Sequence, residues 1–142
     1  NRVVFLGDRS AFDEETRRMI EEIERKSKDK TGMTLNLAVN YGGRAEIVRA
    51  ARLLAEEVKA GILSPSDITE ETFAAQLYTK GQKDPDFILR PSGEKRLSNF
   101  LLWQCAYSEF IYMDVLWPSF RRRDLDRALE EYAARTRRFG GI

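Results

Sequence analysis

The run Arg90-Pro91-Ser92-Gly93-Glu94-Lys95-Arg96-Leu97-Ser98-Asn99 gathers two arginines, a lysine, two serines and a glycine. Guanidinium groups match phosphate oxygens two at a time, and hydroxyls and backbone N–H groups fill the remaining acceptors. Arg90 and Arg96 together can neutralise a doubly or triply charged group. Ser98 adds a directional donor, and Gly93 permits close backbone approach or a positive φ. The run follows the strand-like Asp86-Phe87-Ile88-Leu89, and ligands of α/β sheets collect at the carboxyl ends of strands. A diphosphate pocket is the chemistry this arrangement suits. A solvated basic turn is the alternative, and Lys95 reads as solvent-facing.

Other residues narrow the chemistry. Histidine is absent, which excludes serine–histidine and cysteine–histidine catalysis and the usual zinc sites within these residues. What remains is carboxylates, cations, hydroxyls or a hard metal ion. Cys105 is the sole cysteine, so no internal disulfide forms, and its apolar neighbours predict a buried small residue. Gly42-Gly43, between a strand and a helix, invites a phosphate at the helix N-terminus, but the motif is a weak one and a structural turn is the alternative, with Asn40 and Arg44 as supporting polar groups. Glu109 by itself reads as an end-of-helix or surface carboxylate. The 24 basic and 23 acidic residues leave a net charge of +1, which gives no reason to expect nucleic acid. Arg121-Arg122-Arg123 is read as a solvated helix start. No apolar run is long enough to span a bilayer, and Asn1-Arg2-Val3-Val4 enters a strand pattern without a secretory signal.

The elements that must hold these residues follow from hydrophobic periodicity. Val3–Leu6 predicts a buried parallel strand, and a helix follows from about Asp13 to Lys30 with Phe12, Met19, Ile20 and Ile23 on one face. Thr34 to Asn40 is a second strand. A helix then runs to Gly61, with Ile47, Ala51, Leu54, Ala55 and Val58 inward. Ile68 to Tyr78 predicts a shorter helix, and Asp86 to Leu89 a third strand. Ser98 or Asn99 caps an expected buried helix carrying Phe100, Leu101, Leu102, Trp103 and Tyr107. Phe110 to Tyr112 makes a fourth strand. Ser119 caps a last helix with Leu125, Leu129, Tyr132 and Thr136. Alternation of strands and helices predicts an α/β layer structure.

Asp84-Pro85-Asp86 through Trp103-Gln104, then Glu109 and Leu116-Trp117-Pro118, closely resembles the cis-prenyltransferases, the undecaprenyl diphosphate synthase family. Asn36-Leu37-Ala38-Val39-Asn40-Tyr41-Gly42-Gly43-Arg44 and Arg137-Arg138-Phe139-Gly140-Gly141 are similar to it too, in the family's order along the chain. The family's opening Asp-Gly-Asn-Gly-Arg-Trp loop, with its essential aspartate, has no counterpart here. Residues 1–142 are therefore expected to be the C-terminal portion of one cis-prenyltransferase domain, with no separate second domain. The implied fold is α/β, a mainly parallel sheet flanked by helices. Its four strands stand against the family's six and leave an open edge.

The resemblance also implies an activity. Such an enzyme elongates a cis-prenyl chain, condensing isopentenyl diphosphate with an allylic diphosphate such as farnesyl diphosphate to give a polyprenyl diphosphate. Arg90, Arg96 and Ser98 would hold the isopentenyl diphosphate, and Glu109 would help hold Mg²⁺. Gly140, in the Arg-x-Gly ending, would complete the partner's site in a homodimer, with Trp103, Phe110 and Tyr112 as interface aromatics. No catalytic residue is assigned within this segment, and the chain alone is expected to be inactive. Met33, Leu35, Leu37 and Val39 are either plain core or the lining of a tunnel for the growing chain. A cytoplasmic enzyme with a membrane-associated product would work at the inner membrane surface. The alternatives are a non-catalytic partner subunit of a heteromeric cis-prenyltransferase and a generic phosphate-binding module.

Overall fold

Strand β1 (Arg2–Leu6) pairs in parallel with β2 (Thr34–Ala38), Val3 opposite Leu35 and Phe5 opposite Leu37. This computed structural model describes residues 1–135, which divide into two compact units, Asn1–Gln82 and a second beginning at Lys83. Parallel pairing requires a crossover, and α1 (Glu14–Ser27) supplies it. The α1 N-terminus is set by Asp13, whose carboxylate accepts the Thr16 N–H at 2.7 Å. Its acidic first turn and basic last turn both suit the helix dipole.

The same helix covers the free edge of β1. The Val3 N–H donates to Ser27 Oγ at 3.0 Å, and the Phe5 N–H donates to Glu24 Oε1 at 2.9 Å. Arg9 Nη2 fixes the Glu24 carboxylate at 2.7 Å. At the far end of the ladder Gly7 has φ +132°, and a Cβ there would meet Val39 O at 2.1 Å. Only glycine lets the two chains approach so closely. Asn40 Nδ2 then donates to Asp8 O at 2.8 Å, locking the strand ends together.

Helix α2 (Gly43–Lys59) buries a stripe through Glu46, Ala50 and Leu54. Sequence periodicity placed Ala51 and Ala55 inward instead, and both are exposed. The shift arises because a carboxylate lies at the centre of the buried face. Glu46 is 1% exposed and accepts from Tyr41 Oη at 2.5 Å and from the Tyr78 N–H at 2.7 Å. A buried polar group persists only with such partners. Helix α3 (Glu70–Ala74) is shorter than the expected 68–78.

In the second unit β3 (Phe87–Arg90) pairs in parallel with β4 (Glu109–Tyr112), Phe87 opposite Glu109 and Arg90 opposite Tyr112. Helix α4 (Arg122–Ala133) packs on β4. Ile111, Met113 and Ala128 form the core, with Phe87, Leu89, Phe120 and Tyr132 against it. The Phe87 and Tyr132 rings stack with centroids 4.9 Å apart.

Three further expectations change. The four strands make two parallel pairs, one in each unit, and β1 takes its second set of partners from α1 side chains. Residues 98–107 are a chain of turns instead of a helix, because Ser98, Asn99 and Leu101 all adopt positive φ. Ser119 closes a 3₁₀ turn, and α4 is capped instead by Asp124, whose carboxylate accepts the Arg121 N–H at 2.8 Å.

Candidate functional site

The basic loop leaves the carboxyl end of β3 and is held by main-chain bonds. The Met113 N–H donates to Arg90 O at 3.0 Å, the Gly93 N–H to Met113 O at 2.9 Å and the Ser92 N–H to Val115 O at 2.8 Å. The turn needs φ +90° at Ser92 and +72° at Gly93. A Cβ on residue 93 would also come within 3.1 Å of Asp114 Oδ1, so glycine suits both the conformation and the space.

Three of the residues picked from sequence converge here. Arg90 Nη1 donates to Arg96 O at 2.5 Å and to Ser98 Oγ at 2.9 Å. Arg90 Nη2 donates to Glu94 Oε2 at 2.5 Å, and the other oxygen of Glu94 pairs with Arg96 Nη2. Lys95 is exposed, as expected. Sequence reading passed over Glu94. Its signal is positional: a lone carboxylate four residues after one arginine and two before the next.

Behind the cations lies an apolar wall. Arg90, Arg96 and Ser98 line a pocket of about 300 Å³ together with Ile88, Leu97, Phe100, Phe110 and Tyr112. Phe110 and Tyr112 stack on one face of β4 with centroids 6.3 Å apart. Alternation along β4 turns both rings to the side away from Ile111, which belongs to the core. The site can therefore hold an anionic head and an apolar group at once.

Glu109 is not part of this cluster. It opens β4, opposite Phe87, whereas Arg90 closes β3, so about 10 Å of ladder separates the two positions. Its carboxylate accepts from Arg135 Nη1 at 2.7 Å, and Arg135 also donates to Glu131 at 2.6 Å. Hydrogen bonds to Glu109 and Glu131 push the Arg135 pKa above its ordinary value. Among the described residues no three His, Cys, Asp or Glu side chains come together to hold a metal ion. Glu109, singly and ion-paired, does not make a Mg²⁺ site by itself. Gly140 lies outside the described residues.

The Gly42-Gly43 turn leads into the N-terminus of α2. Asn40 serves the Asp8 carbonyl, while Arg44 lines a surface groove with Asp8, Arg49, Arg52 and Tyr78. Arg49 lies 4.6 Å from the centre of the Tyr78 ring. Cys105 is buried as expected, and burial pushes its thiol pKa up. No helix among the described residues is long and apolar enough to cross a membrane.

At the end of a parallel α/β ladder, the loop of paired arginines stands over an apolar pocket, an arrangement whose chemistry suits an anionic head joined to a hydrocarbon part. The family model described as putative undecaprenyl diphosphate synthase matches residues 1–140. The isoprenyl transferase of Clostridium perfringens is 57% identical over 141 residues, covering 99% of this chain and 56% of that protein. The isoprenyl transferase of Bacillus subtilis is 51% identical over 140 residues, covering 99% and 54%. Among solved structures, lavandulyl diphosphate synthase from Lavandula x intermedia, in complex with dimethylallyl diphosphate, has a TM-score of 0.95. It is 44% identical, and the match covers 99% of this chain and 60% of that one. A probable undecaprenyl diphosphate synthase from Campylobacter jejuni has a TM-score of 0.84 at 37% identity, covering 99% and 63%. The chain belongs to the undecaprenyl diphosphate synthase family, the cis-prenyltransferases. It spans about half the length of the curated relatives it matches.

Proposed function

We propose that the protein to which these residues belong condenses isopentenyl diphosphate with an allylic diphosphate such as farnesyl diphosphate, extending a polyprenyl diphosphate by one cis unit. The observation that carries this reading is the pocket in which Arg90, Arg96 and Ser98 meet Ile88, Phe100, Phe110 and Tyr112. The two guanidiniums neutralise the diphosphate, and the aromatic wall takes the short branched hydrocarbon. Holding both ends fixes the direction of the double bond, and orientation of this kind is a large share of what a two-substrate enzyme supplies. The complex of the lavandulyl relative with dimethylallyl diphosphate supports a prenyl diphosphate as the ligand class.

Leu35 and Leu37 of β2 and Met33 and Val39 just beyond its ends alternate in sequence and all stand exposed, which suits the lining of a hydrocarbon tunnel, with the bulk of Met33 and Val39 limiting product length. Residues 1–142 are one portion of a single catalytic domain, and turnover draws on groups beyond them. Mg²⁺ dependence rests on family membership, with Glu109 as one oxygen donor to the ion. Homodimerisation, with Gly140 completing the partner's site, and action in the cytoplasm at the inner membrane surface are further parts of the proposal carried by the family resemblance; Gly140 itself lies outside the described residues.

The experiment is incubation with labelled isopentenyl diphosphate, farnesyl diphosphate and Mg²⁺, followed by chromatography. Labelled polyprenyl diphosphate is expected when the chain is supplied with a segment bearing the aspartate loop. Absence of product under that condition would favour the non-catalytic subunit.

A further inference from the structure

Between the two arginines lies an anion that belongs to the chain. Glu94 Oε2 accepts from Arg90 at 2.5 Å while Glu94 Oε1 pairs with Arg96. One carboxylate thus spans both guanidiniums, an oxygen on each, which is the pattern that two oxygens of a diphosphate would make. Arg90 Nη1 is held separately by Arg96 O and Ser98 Oγ, so the guanidinium keeps its direction when the carboxylate leaves. Glu94 is also free to go. Its side chain is 40% exposed, and it lies next to a glycine at φ +72°.

We infer that Glu94 is an internal counter-anion, which holds Arg90 and Arg96 in their binding geometry and gives up both contacts to the incoming diphosphate. The inference rests on the diphosphate reading of this site. Two unopposed arginines would attract any small anion in solution. With Glu94 between them, a ligand must outcompete a carboxylate already in place. A diphosphate, with more charge and more oxygens, does so, whereas a monovalent anion does not. Glu94 on this account is a positioning and selectivity residue and makes no contact with the bound ligand.

The test is titration of the full 142-residue chain with pyrophosphate, and in parallel with inorganic phosphate, by calorimetry. Wild type is compared with Glu94→Gln, Glu94→Asp, Arg90→Ala and Arg96→Ala, and circular dichroism reports the fold of each. Glu94→Gln is expected to bind pyrophosphate about fivefold more tightly, the scale of two partly exposed ion pairs removed. It should also narrow the preference for pyrophosphate over phosphate. Glu94→Asp, too short to span both guanidiniums, should shift in the same direction. Unchanged or weaker binding by both Glu94 variants, with binding lost in the arginine variants, would overturn the role of Glu94 and leave the site standing. Wild-type affinity in Arg90→Ala and Arg96→Ala would remove the site itself, and the inference with it.

Discussion

Arg90 shows how single residues define this site. Its position as the last residue of β3 delivers the guanidinium to the strand's carboxyl end, and Arg96 O and Ser98 Oγ then orient it. Gly7 plays the equivalent part in the first unit, where nothing larger fits. Gly7→Ala places a methyl 2.1 Å from Val39 O at a φ that side chains rarely adopt. We expect a loss of about 3 kcal/mol in stability, read by urea unfolding. A loss below about 0.5 kcal/mol would show that the strand ends are not packed as described. Cys105 offers a second check. Burial raises its pKa, so little thiolate exists at neutral pH, and a chromogenic thiol reagent should react slowly until denaturant is added. Reaction at the rate of a free thiol would contradict its burial.

At the scale of elements, α1 does two things for β1, closing the crossover and taking the N–H groups of Val3 and Phe5. Glu24→Ala should cost about 1–3 kcal/mol, because the Phe5 N–H loses its acceptor, and hydrogen exchange at Phe5 should accelerate. Unaltered exchange there would mean that the edge is protected by something else. Asp13 gives α1 a pH dependence. Its bond from the Thr16 N–H holds the carboxyl below the ordinary range. A depressed pKa means that the cap is fully effective above the ordinary carboxylate value and is lost as pH falls through the lowered one. Helix content should therefore fall over that acid window, and less steeply in Asp13→Asn.

The strands were legible because short apolar runs end at Gly7 and at the basic loop. Helices α1, α2 and α4 were legible because period-3.6 faces are long. Glu46 hid the true inward stripe of α2, since its burial depends on Tyr41, just ahead of the helix, and on the Tyr78 N–H, 32 residues further on, and neither shows in α2's own pattern. The stretch 98–107 carries a helix's composition, but three left-handed residues break it, and no local signal announces them. Within the site, cation chemistry named Arg90, Arg96 and Ser98. It did not reveal Glu94 between the arginines, or that Arg135 occupies Glu109.

For the whole molecule, the chain supplies a cationic loop over an apolar pocket in one unit and an exposed apolar strand face in the other. The proposed function assigns each a part in a prenyl-transferring enzyme. That reading predicts loss of turnover on adding EDTA and recovery with Mg²⁺, although the described residues form no metal site alone. It also predicts that the two substrates depend on different residues. The most direct measurement is steady-state kinetics of Arg96→Ala in the complete enzyme, with each substrate varied in turn. The account predicts that KM for isopentenyl diphosphate rises by a factor of ten or more, about 1.4 kcal/mol or above, while KM for the allylic primer changes little. An equal rise for both substrates would contradict the assignment of this pocket to isopentenyl diphosphate.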